Sequence, residues 1–178
     1  MRRRKLNPGL VQVYTGDGKG KTTAAIGLAL RAAGRGLRVF IIQFIKGGFD
    51  YGELYILEKL PNIEVRAFGR GRFITQDGPG PEDIEEARKA MELAREVVRS
   101  GEYDVVILDE INVAIYFGLV GLEEVLELIR GKPEHVELVL TGRKAPRELV
   151  EEADLVTEMK EVKHPYRRGM PPRPGIEF

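Results

Sequence analysis

Nine residues, Thr15-Gly16-Asp17-Gly18-Lys19-Gly20-Lys21-Thr22-Thr23, constrain this chain more than any others. An apolar run, Gly9-Leu10-Val11-Gln12-Val13-Tyr14, precedes them, and a helical pattern, Thr23-Ala24-Ala25-Ile26-Gly27-Leu28-Ala29-Leu30, follows. Strand, glycine-rich loop and helix in that order make a P-loop, where backbone N–H groups and a helix N-terminus surround phosphate oxygens. Glycine lets the backbone wrap a phosphate in conformations that a Cβ forbids. Lys21 brings a mobile positive charge, and the Thr22 hydroxyl is a ligand type for Mg²⁺. One position departs from the usual spacing: Thr15 stands five residues before Gly20, where a glycine is expected. The segment Thr15, Gly16, Asp17, Gly18, Lys19, Gly20, Lys21, Thr22 and Thr23 therefore predicts a bound nucleoside triphosphate.

At 178 residues the chain fits one domain with a substantial core. We expect a single domain over 1–178, with a basic tail at 1–9 and a Pro/Arg-rich segment at 164–178. Basic and acidic residues balance at 28 each, so no overall positive field points to nucleic acid. The absence of cysteine excludes disulfides, thiolate zinc sites and cysteine nucleophiles, and suits a reducing compartment. No apolar run reaches membrane-spanning length, and no signal-peptide segment follows Arg2-Arg3-Arg4-Lys5. The expected location is cytoplasmic, with no membrane partner.

Short β-branched runs alternate with helical patterns along the rest of the chain. Strands are predicted at Leu10–Tyr14, Arg38–Phe44, Ile63–Phe68, Asp104–Leu108, Glu137–Leu140 and Leu155–Glu158. Consecutive apolar positions, as in Val105-Val106-Ile107-Leu108, are those of parallel strands covered on both faces. Helices are predicted at Lys21–Ala33, Gly52–Leu60, Pro81–Arg99, Leu122–Arg130 and Arg147–Glu152. In the third, Ile84, Ala87, Met91, Ala94 and Val98 share one face, and its acidic start and basic finish suit the helix dipole. The order implies an α/β fold of the P-loop NTPase-like, RecA-like kind: a mostly parallel sheet with helices on both faces. Gly69–Pro81 and His164–Phe178 resist the pattern and read as loops, which in such sheets also carry ligand contacts.

Val105-Val106-Ile107-Leu108-Asp109-Glu110 is the second signal. An apolar strand ending in adjacent carboxylates is the Walker B arrangement, which delivers an acid to the magnesium beside the P-loop. Glu110 is also a candidate base for an attacking water or hydroxyl. On the residues alone, the chain is a Mg²⁺-dependent ATP user. A P-loop ATPase or kinase acting by phosphoryl transfer, and a binding module without turnover, both remain open at this point.

Several longer stretches are more specific. TGDGKGKTTAAIGLALRAAG, QFIKG (Gln43–Gly47) with YGEL (Tyr51–Leu54), VVILDEINVAI (Val105–Ile115), LTGRKAP (Leu140–Pro146), EADLVTEM (Glu152–Met159), VKHPY (Val162–Tyr166) and GIEF (Gly175–Phe178) occur in that order. Together they resemble the P-loop ATP:corrinoid adenosyltransferases of cobalamin synthesis and salvage, over nearly the whole chain from about Leu10 onward. Thr15 fits this resemblance, because the family's loop also reads TG-x-GKGKTT.

The resemblance implies transfer of the 5′-deoxyadenosyl group of ATP to a reduced Co(I) corrinoid, with release of tripolyphosphate. Reduced cobalt is then the nucleophile, and the protein positions carbon 5′ and neutralises the leaving group. It implies that Gly16 to Gly20 cradle phosphates, Lys21 offsets their charge, and Thr22 with Glu110 holds Mg²⁺ (or Mn²⁺). Asp109 supports that shell through water, and Arg31 is a further ATP contact. Carbon 5′ must reach the reaction centre, so the usual placement of phosphates along the loop is expected to be reversed.

Many relatives carry Phe-Thr-Trp after the third strand, to exclude the lower cobalt ligand. This chain has Arg72-Phe73-Ile74 there, so Phe73 and Ile74 are the candidate corrinoid contacts. His164 is read as structural and His135 as exposed. A homodimer and an external reductase are the expected partners, besides ATP and the corrinoid.

Overall fold

The computed structural model describes residues 6–48, 50–71, 74 and 78–178. Six strands form one sheet: β1 (Val11–Thr15), β2 (Val39–Gln43), β3 (Ile63–Ala67), β4 (Val105–Asp109), β5 (Glu137–Thr141) and β6 (Leu155–Glu158). Their order is β3-β2-β4-β5-β1-β6, and every pairing is parallel. Each strand lies within two residues of its predicted bounds at either end.

The consecutive apolar residues sort by period two onto the two faces of the sheet, as strand geometry requires. Val39, Ile41, Val105, Ile107 and Val139 meet Ala25, Ala29 and Ala32 of α1 (Lys21–Gly34) and Leu57 of α2 (Leu54–Leu57). Phe40, Ile42, Val106, Leu108, Leu138 and Leu140 belong to the opposite core. That core is covered by α3 (Pro81–Ser100), α4 (Ile111–Tyr116), α5 (Leu122–Arg130) and α6 (Arg147–Glu152). Helices thus cover both faces, and the small alanine face of α1 lets it lie close against the central strands.

Three local expectations are corrected. The helix predicted over Gly52–Leu60 is a single turn, Leu54–Leu57, in which only Leu57 is buried. Ile84 is exposed, and the buried stripe of α3 runs instead through Ala87, Ala90, Met91, Ala94, Val97 and Val98. The helix α4 was not anticipated, since its apolar residues continue the run of β4 without a break. The break is conformational: Glu110 has φ 64, left-handed backbone that ends the strand and starts the helix.

Strand order decides where the site lies. β5 separates β1 from β4, so the P-loop and the Asp109-Glu110 pair are bridged by the end of β5. All three strand ends open on the same edge of the sheet, the usual place for ligands in open parallel sheets.

Candidate functional site

The loop after β1 turns with Gly16 at φ 92 and Gly20 at φ 119, positions that exclude most side chains. The Gly18 N–H donates to the Met159 carbonyl at 2.6 Å, tying the loop to the chain leaving β6. Thr15 has a structural task here: its hydroxyl accepts the Ala145 N–H at 3.2 Å, which fixes the turn between β5 and α6. Lys21 lies buried across the loop and donates to the carbonyls of Gly16 and Gly18, both at 2.7 Å. Burial pulls its pKa down, against the opposing charge of Glu110. An ammonium held by two carbonyls, and by no carboxylate hydrogen bond among the described residues, is poised to take a stronger, anionic partner.

Asp109 is fully buried and surrounded by donors. Its Oδ1 accepts from Thr22 Oγ1 at 2.9 Å and from Thr141 Oγ1 at 2.6 Å. Its Oδ2 accepts from Lys46 Nζ at 2.7 Å and, more weakly, from Gln43 Nε2 at 3.4 Å. Lys46 Nζ also donates to Thr22 Oγ1 at 3.0 Å and sits 5.1 Å from the centre of the Tyr51 ring. Burial works against the Lys46 charge, yet Asp109 and Glu110 outweigh it and raise the pKa. The neighbouring Glu110 is anchored by its backbone N–H on Thr141 Oγ1 at 3.0 Å. Burial, then the charge of Asp109, pushes its carboxyl above the usual range, while Lys46 and Lys21 pull the other way.

These groups border a cavity of about 810 Å³, within the size range of small-molecule sites. Gly18 to Thr23 form its floor, Glu110, Lys46 and Arg143 one wall, and Tyr51 to Glu53 another. The C-terminal residues Gly175 to Phe178 and His164 complete it. Lys19 Nζ binds this tail at the Ile176 carbonyl, 2.6 Å, and at Glu177 Oε1, 3.1 Å. The loop-like C-terminal segment is therefore part of the site. His164 caps the short 3-10 turn Pro165–Arg168, its Nδ1 accepting the Tyr166 N–H at 3.2 Å.

The oxygen donors present, Thr22 Oγ1 and the Asp109 and Glu110 carboxylates, are of the hard kind that suits Mg²⁺. Gln43 Oε1, buried beside Asp109, has no donor among the described residues, an orphan acceptor that a water carried by such an ion would fill. The site therefore fits the metal, and Thr22 with Glu110 are the residues that would hold it. Asp109, already bonded by four donors, supports the hydroxyl of Thr22.

Of the predicted site residues, the structure brings Gly18, Lys19, Gly20, Lys21, Thr22, Thr23 and Glu110 to the cavity. Asp17 is exposed, and Gly16 takes part through its carbonyl. Arg31 is not brought there: it lies exposed in the last turn of α1, about 15 Å along the helix from Lys21 at 1.5 Å per residue. Ile74 packs instead against the core on the α3 side, in a crevice with Ile45, Asp83 and Ala87. Phe73 lies outside the described residues. His135 is half-buried rather than exposed, its Nε2 2.9 Å from the Gly101 carbonyl. Lys46, Arg143 and Tyr51 carry no role in the sequence reading, though each falls within a stretch that supports the family resemblance.

Residues 7–178 match the family described as ATP:corrinoid adenosyltransferase BtuR/CobO/CobP. A corrinoid adenosyltransferase of Sinorhizobium sp is 39% identical over 172 residues, covering 96% of this chain and 80% of the relative. The Escherichia coli K12 corrinoid adenosyltransferase is 36% identical over 171 residues, covering 96% and 86%. Among solved structures, the RadB recombinase superposes with a TM-score of 0.53 at 16% identity, covering 90% of this chain and 78% of that one. That likeness establishes a RecA-like P-loop fold.

Proposed function

Because this chain belongs to the ATP:corrinoid adenosyltransferase family, we propose how its residues serve adenosyl transfer from ATP to a corrinoid. It is a corrinoid adenosyltransferase, using ATP in cobalamin biosynthesis or salvage. In the proposed reaction a Co(I) corrinoid attacks carbon 5′ of ATP. The cobalt–carbon bond forms as the carbon–oxygen bond to the α-phosphate breaks, and the electron pair leaves with tripolyphosphate. No side chain has to act as nucleophile; the protein's work is positioning and charge neutralisation.

Lys21 exchanges the Gly16 and Gly18 carbonyls for phosphate oxygens, and Lys19 and Arg143 add positive charge at the rim. Gly18 to Thr23 line the same cavity. Thr22 and Glu110 would hold Mg²⁺, which would supply further neutralisation of the leaving group. Carbon 5′ is presented toward the corrinoid, so the terminal phosphate does not take its usual place beside Lys21. A structure of the nucleotide complex with the terminal phosphate beside Lys21 would count against this orientation.

The observation that carries the reading is the bond between Thr22 and Asp109, 2.9 Å across 87 residues of sequence, at the floor of an open cavity. It sets a phosphate loop and an acidic strand end in one place. The deciding experiment supplies Mg·ATP and a chemically reduced corrinoid and identifies the phosphorus product. Tripolyphosphate with a light-sensitive cobalt–carbon bond is expected; ADP and phosphate would replace this reading by phosphoryl transfer.

A homodimer, an external reductase and a cytoplasmic location belong to the same reading and rest on the family. Sedimentation at equilibrium checks the first. No helix among the described residues is long and apolar enough to cross a membrane.

A further inference from the structure

Lys46 has no part in the mechanism above, yet it is buried in the site and bonded to two of its polar groups. Its side chain is 10% exposed and that of Asp109 is 1% exposed. The ammonium reaches Thr22 Oγ1 at 3.0 Å and Asp109 Oδ2 at 2.7 Å. Both partners belong to the cluster that would receive a metal ion. The backbone is shaped for this contact: Ile45, a β-branched residue, has φ 52, a conformation such residues rarely adopt. It turns the chain leaving β2 back toward the start of α1. Strain of this kind persists where the surroundings fix it, and it gathers at functional sites.

We propose that Lys46 is the resident cation of the ligand-free site, occupying the place of the divalent ion so that metal enters only together with polyphosphate. The inference rests on the reading of Thr22 and Glu110 as metal ligands. A divalent ion on Thr22 Oγ1 sits about 2.1 Å from that oxygen. It would then lie within roughly 5 Å of an ammonium on the same hydroxyl, and the two repel. The wider cluster sharpens the point. Asp109 and Glu110 bring two negative charges, and the adjacent Lys46 and Lys21 bring two positive ones.

A bare divalent cation therefore meets a site already neutralised. A polyphosphate reverses the balance: its charge draws Lys46 from Asp109 toward the phosphates and frees Thr22 and Glu110 for the ion. The orphaned Gln43 Oε1 beside Asp109 belongs to the same picture, since one ammonium satisfies Thr22 and Asp109 but leaves this acceptor without a donor. The consequence is ordered loading, in which the metal arrives with its nucleotide and idle protein does not accumulate metal.

The test is binding of Mn²⁺ alone, and of Mn·ATP, to the full chain by ultrafiltration that counts bound manganese and bound nucleotide. Lys46→Met is expected to bind Mn²⁺ alone at least tenfold more tightly than the wild type. Lys46→Arg, which keeps a cation, is expected to behave like the wild type. If Lys46→Met does not fold, Lys46→Gln, which keeps a polar but neutral group, takes its place. Equal Mn²⁺ affinity in the wild type and both classes of variant would overturn the role of Lys46 while leaving the metal site standing. Wild-type protein that retains ATP equally with and without manganese, and binds no manganese, would instead overturn the metal site and this inference with it.

Discussion

Lys21 and Glu110 illustrate how burial prepares a side chain for a ligand that brings the missing charge. Burial lowers the Lys21 pKa and raises that of Glu110, so each is less comfortable as an ion than it would be in water. Triphosphate relieves the first and a divalent cation the second. Lys21→Ala and Glu110→Ala are each expected to lower turnover by about 10²–10³-fold, the usual effect of removing one preorganised electrostatic contact. Steady-state rates with saturating ATP and reduced corrinoid, alongside an unchanged circular dichroism spectrum, check this. Near-normal turnover in either variant would remove that residue from the mechanism.

At the scale of elements, two junctions hold the sheet and its loops in register. The first is the stacking of the P-loop on the chain leaving β6. A Cβ on Gly18 would stand 2.6 Å from the Met159 carbonyl oxygen, the same atom that accepts the Gly18 N–H. Gly18→Ala must therefore part the loop from this chain, and we expect weaker ATP binding with the secondary structure retained. Isothermal titration with ATP reads this directly.

The second junction is far from the cavity. Tyr103, before β4, donates to Glu64 Oε1 of β3 at 2.5 Å, and its ring meets Phe40 edge-on at 4.9 Å. Burial, with the hydrogen bond to Glu64 and its charge, pushes this phenol from 10.0 up to about 12. The folded protein thus keeps the proton at pH values where the unfolded chain has lost it. The contribution of Tyr103 is whole below pH 10 and disappears as pH rises toward 12. Urea unfolding across that range should show a steeper loss of stability in the wild type than in Tyr103→Phe; parallel curves would refute it.

At the scale of the molecule, the C-terminal tail closes the cavity that the sheet edge opens. Arg173 and Lys19 hold Glu177, whose carboxyl is depressed to about 2, first by its bonds to Arg173. Ile176 and Phe178 keep 56% and 41% of their surface exposed, so the tail contributes little to the core. Deleting residues 175–178 should change unfolding free energy by about 0.5 kcal/mol or less, as surface changes do. The same deletion should weaken ATP binding, because it removes one wall of the cavity. Equal ATP affinity in full-length and shortened chains would show that the wall is not used.

The P-loop, the acidic end of β4 and the apolar strands were legible in the sequence because each is a local pattern. Backbone conformation is demanded by neighbouring residues at Gly16 to Thr22, and burial by the unbroken Val105 to Leu108. The helix α4 escaped because its apolar residues follow those of β4 directly, and only the left-handed backbone of Glu110 separates the two. Arg31 shares the helix of Lys21 and Thr22, but the length of that helix carries it away from their end.

Sequence alone thus determined that this chain makes a parallel α/β sheet with a phosphate loop and an acid at a strand end. Only the tertiary structure decided that Lys46 sits between Thr22 and Asp109, that Thr141 of β5 binds both Asp109 and the Glu110 backbone, and that the tail closes the site. The physical reason lies in strand order. Apolar strands are nearly interchangeable in pattern, so nothing in their own residues says which will be neighbours. Polar contacts between strand ends exist only once the order β3-β2-β4-β5-β1-β6 has formed.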